Sequence, residues 1–239
     1  MDILSTLPKN QKIIVTSRIK NLKMNTKFQY DEITNKIIDK IDNTLKPINI
    51  YVPTFNYDFL KLGEYDYYNS KSQVGRFSEE FRLNFTNNRN YDPIFSYTSL
   101  YKDNLNNKQW CSRAFENNSF FDNIENDNYL VINIDLPLFV STFIHYLENK
   151  FRVPYRYEEK FHGRISFNRN IFNFDYVYYV RNLKKKSIYN SKKIKNFLIK
   201  KTVLKSTSIF DLSTDWYLSE KLITNISSQL KENNKYLID

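Results

Sequence analysis

Between Lys12 and Val52 the chain runs through a short apolar stretch, a helical stripe and a second apolar stretch, and this order restricts it to a layered α/β arrangement. Lys12 to Val15 reads as a buried strand. Tyr30 to Leu45 reads as a helix, because Ile33, Ile37, Ile38, Ile41 and Leu45 recur at three- and four-residue spacings that share one face. Pro47 stops it, since proline has no amide hydrogen to continue the ladder. Ile48 to Val52 follows as a second strand. A helix beginning near Gly75 continues through Ser78 to Phe85, and Tyr129 to Ile134 (YLVINI) is the most strand-like run in the chain. Arg164 to Phe167 and Asp175 to Val180 read as the paired strands of an antiparallel ribbon. A last helix is expected from about Ser213 to Lys235, with Trp216, Leu222, Ile223, Ile226 and Leu230 on its apolar side. With neither repeat nor linker in view, residues 1–239 are read as a single domain.

The formal charge of +10 raises the question of nucleic acid. Much of the excess lies in Lys184, Lys185 and Lys186 and in Lys192, Lys193, Lys195, Lys200, Lys201 and Lys205. These interrupt a helical pattern of Ile194, Phe197 and Leu198, so they read as its solvated face, and no nucleic-acid-binding signature accompanies them. Nucleic acid is therefore not an expected partner, although a basic surface suits a phosphate-bearing small molecule. The single cysteine, Cys111, excludes an internal disulfide. Next to Trp110 and with no histidine near in sequence, it reads as a packed thiol. No stretch approaches the ~18 apolar residues needed to cross a bilayer, and a cytoplasmic protein without membrane insertion is expected.

Only two histidines occur. His145 lies in Ser141-Thr142-Phe143-Ile144-His145-Tyr146-Leu147-Glu148, directly after the YLVINI strand, where α/β sheets commonly build sites. On a helix from about Val140 to Lys150, the i, i+3 spacing puts His145 and Glu148 on one face, and a carboxylate there can orient an imidazole as general base. An amphipathic helix with a surface histidine has the same pattern, and the residues alone leave both readings open. His162, beside Gly163, reads as a turn residue.

Further segments add context: Val52-Pro53-Thr54-Phe55-Asn56-Tyr57, Tyr65-Asp66, Ser72-Gln73-Val74-Gly75-Arg76-Phe77-Ser78-Glu79, Arg89-Asn90-Tyr91-Asp92-Pro93-Ile94-Phe95-Ser96 and Val153-Pro154-Tyr155-Arg156-Tyr157. In this order, with the His145 segment, the chain from about Lys12 to its C-terminus resembles the aminoglycoside 3-N-acetyltransferase family, especially relatives linked to polysaccharide building. The resemblance implies a three-layer α/β/α domain with a central mixed sheet and an antiparallel ribbon in the C-terminal half. It also implies acetyl-CoA as acyl donor, no metal, and direct transfer to an amine in a ternary complex.

By the same resemblance, His145 is the base, helped by Glu148 or by Asp175, which stands alone among aromatic residues and would need a partner if buried. Ser72, Val74 and Gly75 match part of the coenzyme A site, where a helix start can face a phosphate and glycine allows close approach. Ser72 could equally be a plain helix cap. Thr16 and Ser17 match a turn along the pantetheine path, and Arg89 a position that meets phosphate or the protein's own carboxylates. Tyr57, Asp66, Asp92 and Tyr155 are the expected contacts to an amino sugar. Thr16 replaces a usual histidine, Asp92 stands where many drug-modifying members have histidine, and Asn133 and Asn49 lie near missing glycines. The chain is basic and short of site acids, which favours a single-amine sugar on a nucleotide diphosphate. An aminoglycoside, or a non-catalytic binding role, is the alternative. A homodimer is left open.

Overall fold

The computed structural model describes residues 3–24, 26–102, 109–122, 124–136, 139–184 and 187–238; Lys185 and Lys186 of the basic run lie outside them. In chain order the strands are β1 (Lys12–Ser17), β2 (Asn49–Pro53), β3 (Glu64–Asp66), β4 (Tyr97–Ser99), β5 (Tyr129–Ile134), β6 (Arg156–Phe167), β7 (Asn170–Arg181), β8 (Lys205–Ile209) and β9 (Leu212–Leu218). The helices are α1 (Lys20–Met24), α2 (Tyr30–Leu45), α3 (Asp58–Leu62), α4 (Arg76–Asn84), α5 (Thr142–Lys150), α6 (Ser191–Lys200) and α7 (Ser219–Glu232).

The central sheet has the order β4-β2-β1-β5-β9-β8, with β2, β1 and β5 parallel and β4, β9 and β8 antiparallel to their neighbours. Strand alternation sends successive side chains to opposite faces. Ile13, Val15, Ile50, Val52, Leu130 and Ile132 meet the apolar stripe of α2 together with Phe77 and Phe81 of α4. Ile14, Tyr51, Tyr129 and Val131 face the other way, onto Phe143 and Leu147 of α5, Ile194 and Leu198 of α6 and Leu222 and Ile226 of α7. The fold is thus a three-layer α/β/α sandwich around a mixed sheet. Helix α2 begins where the Gln29 amide donates to Glu32 Oε2 at 2.6 Å, and it ends at Lys46 in the left-handed region, just before Pro47.

The second sheet, β3-β6-β7, is an antiparallel ribbon extended by a parallel β3. Its two strands are longer than the sequence pattern suggests, pairing from Arg156↔Arg181 to Phe167↔Asn170, with Asn168 and Arg169 forming a two-residue turn at φ 49° and 64°. His162 is therefore a strand residue inside β6, not a turn residue. Gly163 sits against α3: a Cβ there would lie 2.5 Å from the Gly63 carbonyl oxygen, so only glycine lets the ribbon approach this closely.

The expected last helix is corrected at its start. Ser213 to Leu218 belongs to β9, hydrogen-bonded between β5 and β8, and α7 begins only at Ser219. Trp216 is a strand residue, its ring covered by Lys205 at 4.8 Å. The six-residue gap from Trp216 to Leu222 does not fit a helical face, whereas Leu222, Ile223, Ile226 and Leu230 do.

Candidate active site

A cleft of about 530 Å³ opens at the C-terminal ends of β1, β2 and β5, lined there by Thr16, Ser17, Pro53 and Asn133. Alternation explains the polar pair. Thr16 and Asn133 occupy the face that Ile14 and Val131 occupy one pleat earlier, and the two are register partners. The Thr16 hydroxyl donates to Asn133 Oδ1. Farther in, the walls are Ile14, Val131, Phe143, Ile194, Tyr97 and Tyr217, all nearly inaccessible to water. Among the described residues, no lysine, arginine, aspartate or glutamate lines this cleft.

His145 lies in the cleft wall on α5, and Glu148, one turn further on, is fully buried beneath it. His145 Nδ1 stands 2.9 Å from Glu148 Oε2. Arg156, delivered by β6, places Nη2 2.8 Å from the same carboxylate oxygen, while its Nη1 donates to the Tyr179 carbonyl at 2.9 Å. The Tyr189 hydroxyl, from the segment before α6, donates to Glu148 Oε2 as well and lies 2.8 Å from His145 Nδ1. Burial pushes the Glu148 carboxyl upward, but the His145 hydrogen bond, the Arg156 charge and the Tyr189 hydroxyl outweigh it and hold the group below the usual carboxylate range. Glu148 is therefore an anion, and its carboxylate oxygen accepts a hydrogen bond from Nδ1–H. Every contact of His145 at hydrogen-bond distance among the described residues is made by Nδ1; with Nδ1–H donating to Glu148, Arg156 is a neighbouring charge rather than a donor to the ring, and Nε2 keeps its lone pair for a group in the cleft.

At the other side of the cleft, Gln73 and Val74 form the rim ahead of α4. Gly75 adopts φ 125°, a conformation an L side chain rarely takes, and a Cβ added there would meet only the Ser17 carbonyl at 3.9 Å. Ser17 lines the cleft with a buried hydroxyl oxygen that has no hydrogen-bond partner. An uncharged, largely apolar channel with one unpartnered hydroxyl fits a pantetheine arm, which is amide-bearing and uncharged. Tyr57 faces the same space, its hydroxyl pushed up to about 12, first by burial and then by Tyr178, so it is a neutral donor and acceptor at neutral pH.

Several residues expected at the site lie elsewhere. Asp175 is exposed on the ribbon, paired with Lys160 at 2.6 Å and His162 at 2.7 Å; it does not assist His145. Along β7 the inward positions are Phe172, Phe174 and Tyr176, so Asp175 between them faces solvent. Arg89 meets neither phosphate nor carboxylate. It is inaccessible and donates to the carbonyls of Thr54 (2.7 Å) and Ser70 (2.9 Å) and to the Ser96 hydroxyl (2.9 Å), pinning three loops. Asp92 is equally buried and accepts from the amides of Ile94 and Phe95 and from the Tyr176 hydroxyl, which closes a turn and keeps it from any substrate. Asp66 caps its own turn by accepting from the amides of Tyr68 and Asn69, outside the cleft lining. Tyr155 is buried behind Glu148, where burial and that carboxylate push its hydroxyl upward. Ser72 does not cap α4, whose cap position is Gly75; its amide donates to Glu79 Oε2 at 2.7 Å. Cys111 is buried, its thiol pushed well up by burial and by Asp92.

Two residues of the site carried no assignment from sequence: Arg156, which lay unused in the Val153–Tyr157 segment, and Tyr189, which is one of 19 tyrosines and has no distinguishing neighbourhood. Both reach Glu148 only through tertiary packing, so local periodicity holds no signal for them.

No protein-family model matches the chain, and no curated protein matches it. Solved structures do. The crystal structure of aminoglycoside acetyltransferase AAC(3)-Xa superposes with a TM-score of 0.76 at 11% identity, covering 98% of this chain and 90% of that one. AAC-VIa with sisomicin bound gives 0.75 at 10% identity, covering 95% and 94%. The YokD protein from Bacillus subtilis gives 0.70 at 12% identity, covering 97% of each chain. The chain therefore has the aminoglycoside acetyltransferase fold over nearly its whole length, as the resemblance in sequence implied.

Proposed function

We propose that this protein, acting as one domain, transfers the acetyl group of acetyl-CoA to the primary amine of an amino sugar, with His145 as general base. The observation that carries the reading is the free Nε2 of His145 on the cleft, opposite an Nδ1 anchored on the buried Glu148 carboxylate. His145 Nε2 accepts a proton from the sugar ammonium, which frees the nitrogen lone pair. Acetyl-CoA would supply the activated acyl carbon; an N–C bond forms to it as the C–S bond breaks, and the departing thiolate takes up the second nitrogen proton and leaves as coenzyme A thiol. Ser17, Gln73 and Val74 would hold the carrier, and the largely apolar cleft walls would exclude water from the reacting centre. Of the rest of the expected acceptor contacts, Tyr57 alone lines the cleft.

The acceptor follows from the lining. An aminoglycoside is a polycation and calls for carboxylates, and among the described residues no carboxylate lines this cleft. A sugar with one amine needs only one proton removed, and a nucleotide diphosphate attached to it suits a chain of net charge +10. The aminoglycoside reading keeps one specific support, the sisomicin-bound AAC-VIa of the same fold. Release of coenzyme A thiol, measured with nucleotide-linked amino sugars beside sisomicin, tests the choice. The expected result is turnover with the monoamine and none with sisomicin; the reverse order would favour the aminoglycoside reading.

A further inference from the structure

A carboxylate at 2.9 Å from an imidazole creates a difficulty for a general base. The negative charge that fixes the Nδ1–H tautomer also favours the doubly protonated ring, which has no lone pair to accept a proton. The surroundings of His145 contain a counterweight. Arg156 Nη2 lies 2.8 Å from Glu148 Oε2 and 3.0 Å from His145 Nδ1, so the ring nitrogen sees one negative and one positive charge at nearly equal distances. At equal distance their effects on a proton at Nδ1 largely cancel. The pair is enclosed, with the Arg156 side chain 5% and the Glu148 side chain 0% exposed, so solvent does not screen either charge away.

We propose that Arg156 and Tyr189 are positioning residues for the base: Arg156 balances the Glu148 charge in place, and Tyr189 fixes the oxygen that Nδ1 addresses, so that His145 is oriented by a carboxylate whose charge is already countered. The inference rests on reading His145 as the general base. Arg156 is itself locked, by the Tyr179 carbonyl at 2.9 Å and the Tyr189 hydroxyl at 3.0 Å, so its charge cannot swing away from the carboxylate. The other titratable groups on this cluster are hydroxyls of Tyr155 just before β6, Tyr178 and Tyr179 on β7, and Tyr189, each pushed upward first by burial and therefore uncharged at neutral pH. Among the described residues, no lysine, arginine or carboxylate lines the cleft, so that side adds none of these charges. Glu148 and Arg156 are thus the two formal charges that His145 meets at hydrogen-bond distance among the described residues.

The chain carries only two histidines, which makes the test direct. Nitrogen-15 and carbon-13 NMR of the imidazoles, with His162→Gln to assign the signals, reads tautomer and titration in the free protein without any turnover. In the parent, neutral His145 is expected as the Nδ1–H tautomer. In Arg156→Gln the ring should keep its second proton to a pH higher by about one unit, because the carboxylate then acts alone. The acid limb of the kcat/KM profile should move by the same amount, and Arg156→Lys should restore most of it. A folded Arg156→Gln protein whose His145 titrates as in the parent, or a parent in the Nε2–H tautomer, would overturn the proposal. If Arg156→Gln does not fold, the double variant Glu148→Gln/Arg156→Gln removes both charges together. Cancellation then requires a titration close to the parent's, and a fall of a unit or more would overturn it. Failure of acetyl transfer with a normal titration would count against the proposed function and leave this assignment standing.

Discussion

At the scale of single residues, the local part of the site was legible and the rest was not. His145 and Glu148 sit three apart on one helix, a relation that sequence spacing expresses fully. Arg156 and Tyr189 arrive from β6 and from the segment before α6, and nothing in their own neighbourhoods marks them. Asp92 shows the opposite error. A carboxylate beside a proline looked like a substrate contact, but it closes a buried turn. Burial raises its pKa above the usual carboxylate value, against the hydrogen bonds of Ile94 and Phe95. With the folded pKa raised, this group favours the folded state at low pH, and that contribution declines as pH rises from ~3.9 through the folded value. Asp92→Asn keeps the acceptor oxygen and loses the charge, so denaturant melts at pH 8 should show it at least as stable as the parent, with the advantage shrinking toward pH 4. Asp92→Ala leaves two buried amides and a hydroxyl without an acceptor and should cost about 2–3 kcal/mol near pH 4, and less at pH 8, where the parent carries the buried charge.

At the scale of elements, β1, β2 and β5 were legible as short continuous apolar runs, because both of their faces are buried, and α2 was legible from its period-3.6 apolar stripe. The hairpin β8–β9 was missed: Lys205–Ile209 is mostly polar and exposed, an edge strand whose pairing is set by β9 rather than by its own composition. Two changes test the ribbon. Gly163→Ala drives a methyl into the Gly63 carbonyl and the Phe59 ring, and should lower stability by about 1–3 kcal/mol through displacement of α3 and β3 from β6. Arg169→Gly relieves a left-handed residue in the β6–β7 turn and should raise stability by roughly 0.5–1 kcal/mol, read as a higher melting temperature. Neither site touches the cleft, so acetyl transfer at 25 °C should be unchanged in Arg169→Gly.

At the scale of the whole molecule, the order of the elements carries the fold, while the surface charge is a property of the exterior. On α6, Ile194 and Leu198 turn inward, Lys192 and Lys200 outward, and Lys195 pairs with Asp215 at 2.6 Å. Among the described residues, no helix is long and apolar enough to cross a membrane, and no group of histidine, cysteine and carboxylate side chains could hold a metal ion. A random oligonucleotide is therefore expected to show no binding at physiological salt. On the proposed reading, the positive exterior would draw in a phosphate-bearing substrate, and the cleft would hold its amine at His145, which removes the proton.

The central claim is that this cleft holds an acyl carrier beside His145. Calorimetric titration of the parent and of His145→Ala with acetyl-CoA, followed by turnover of both with amino-sugar acceptors, tests it most directly. The account predicts micromolar binding that is nearly equal in the two proteins, with turnover at least about 100-fold lower in His145→Ala. No binding of acetyl-CoA to the parent, or full turnover without the imidazole, would contradict it.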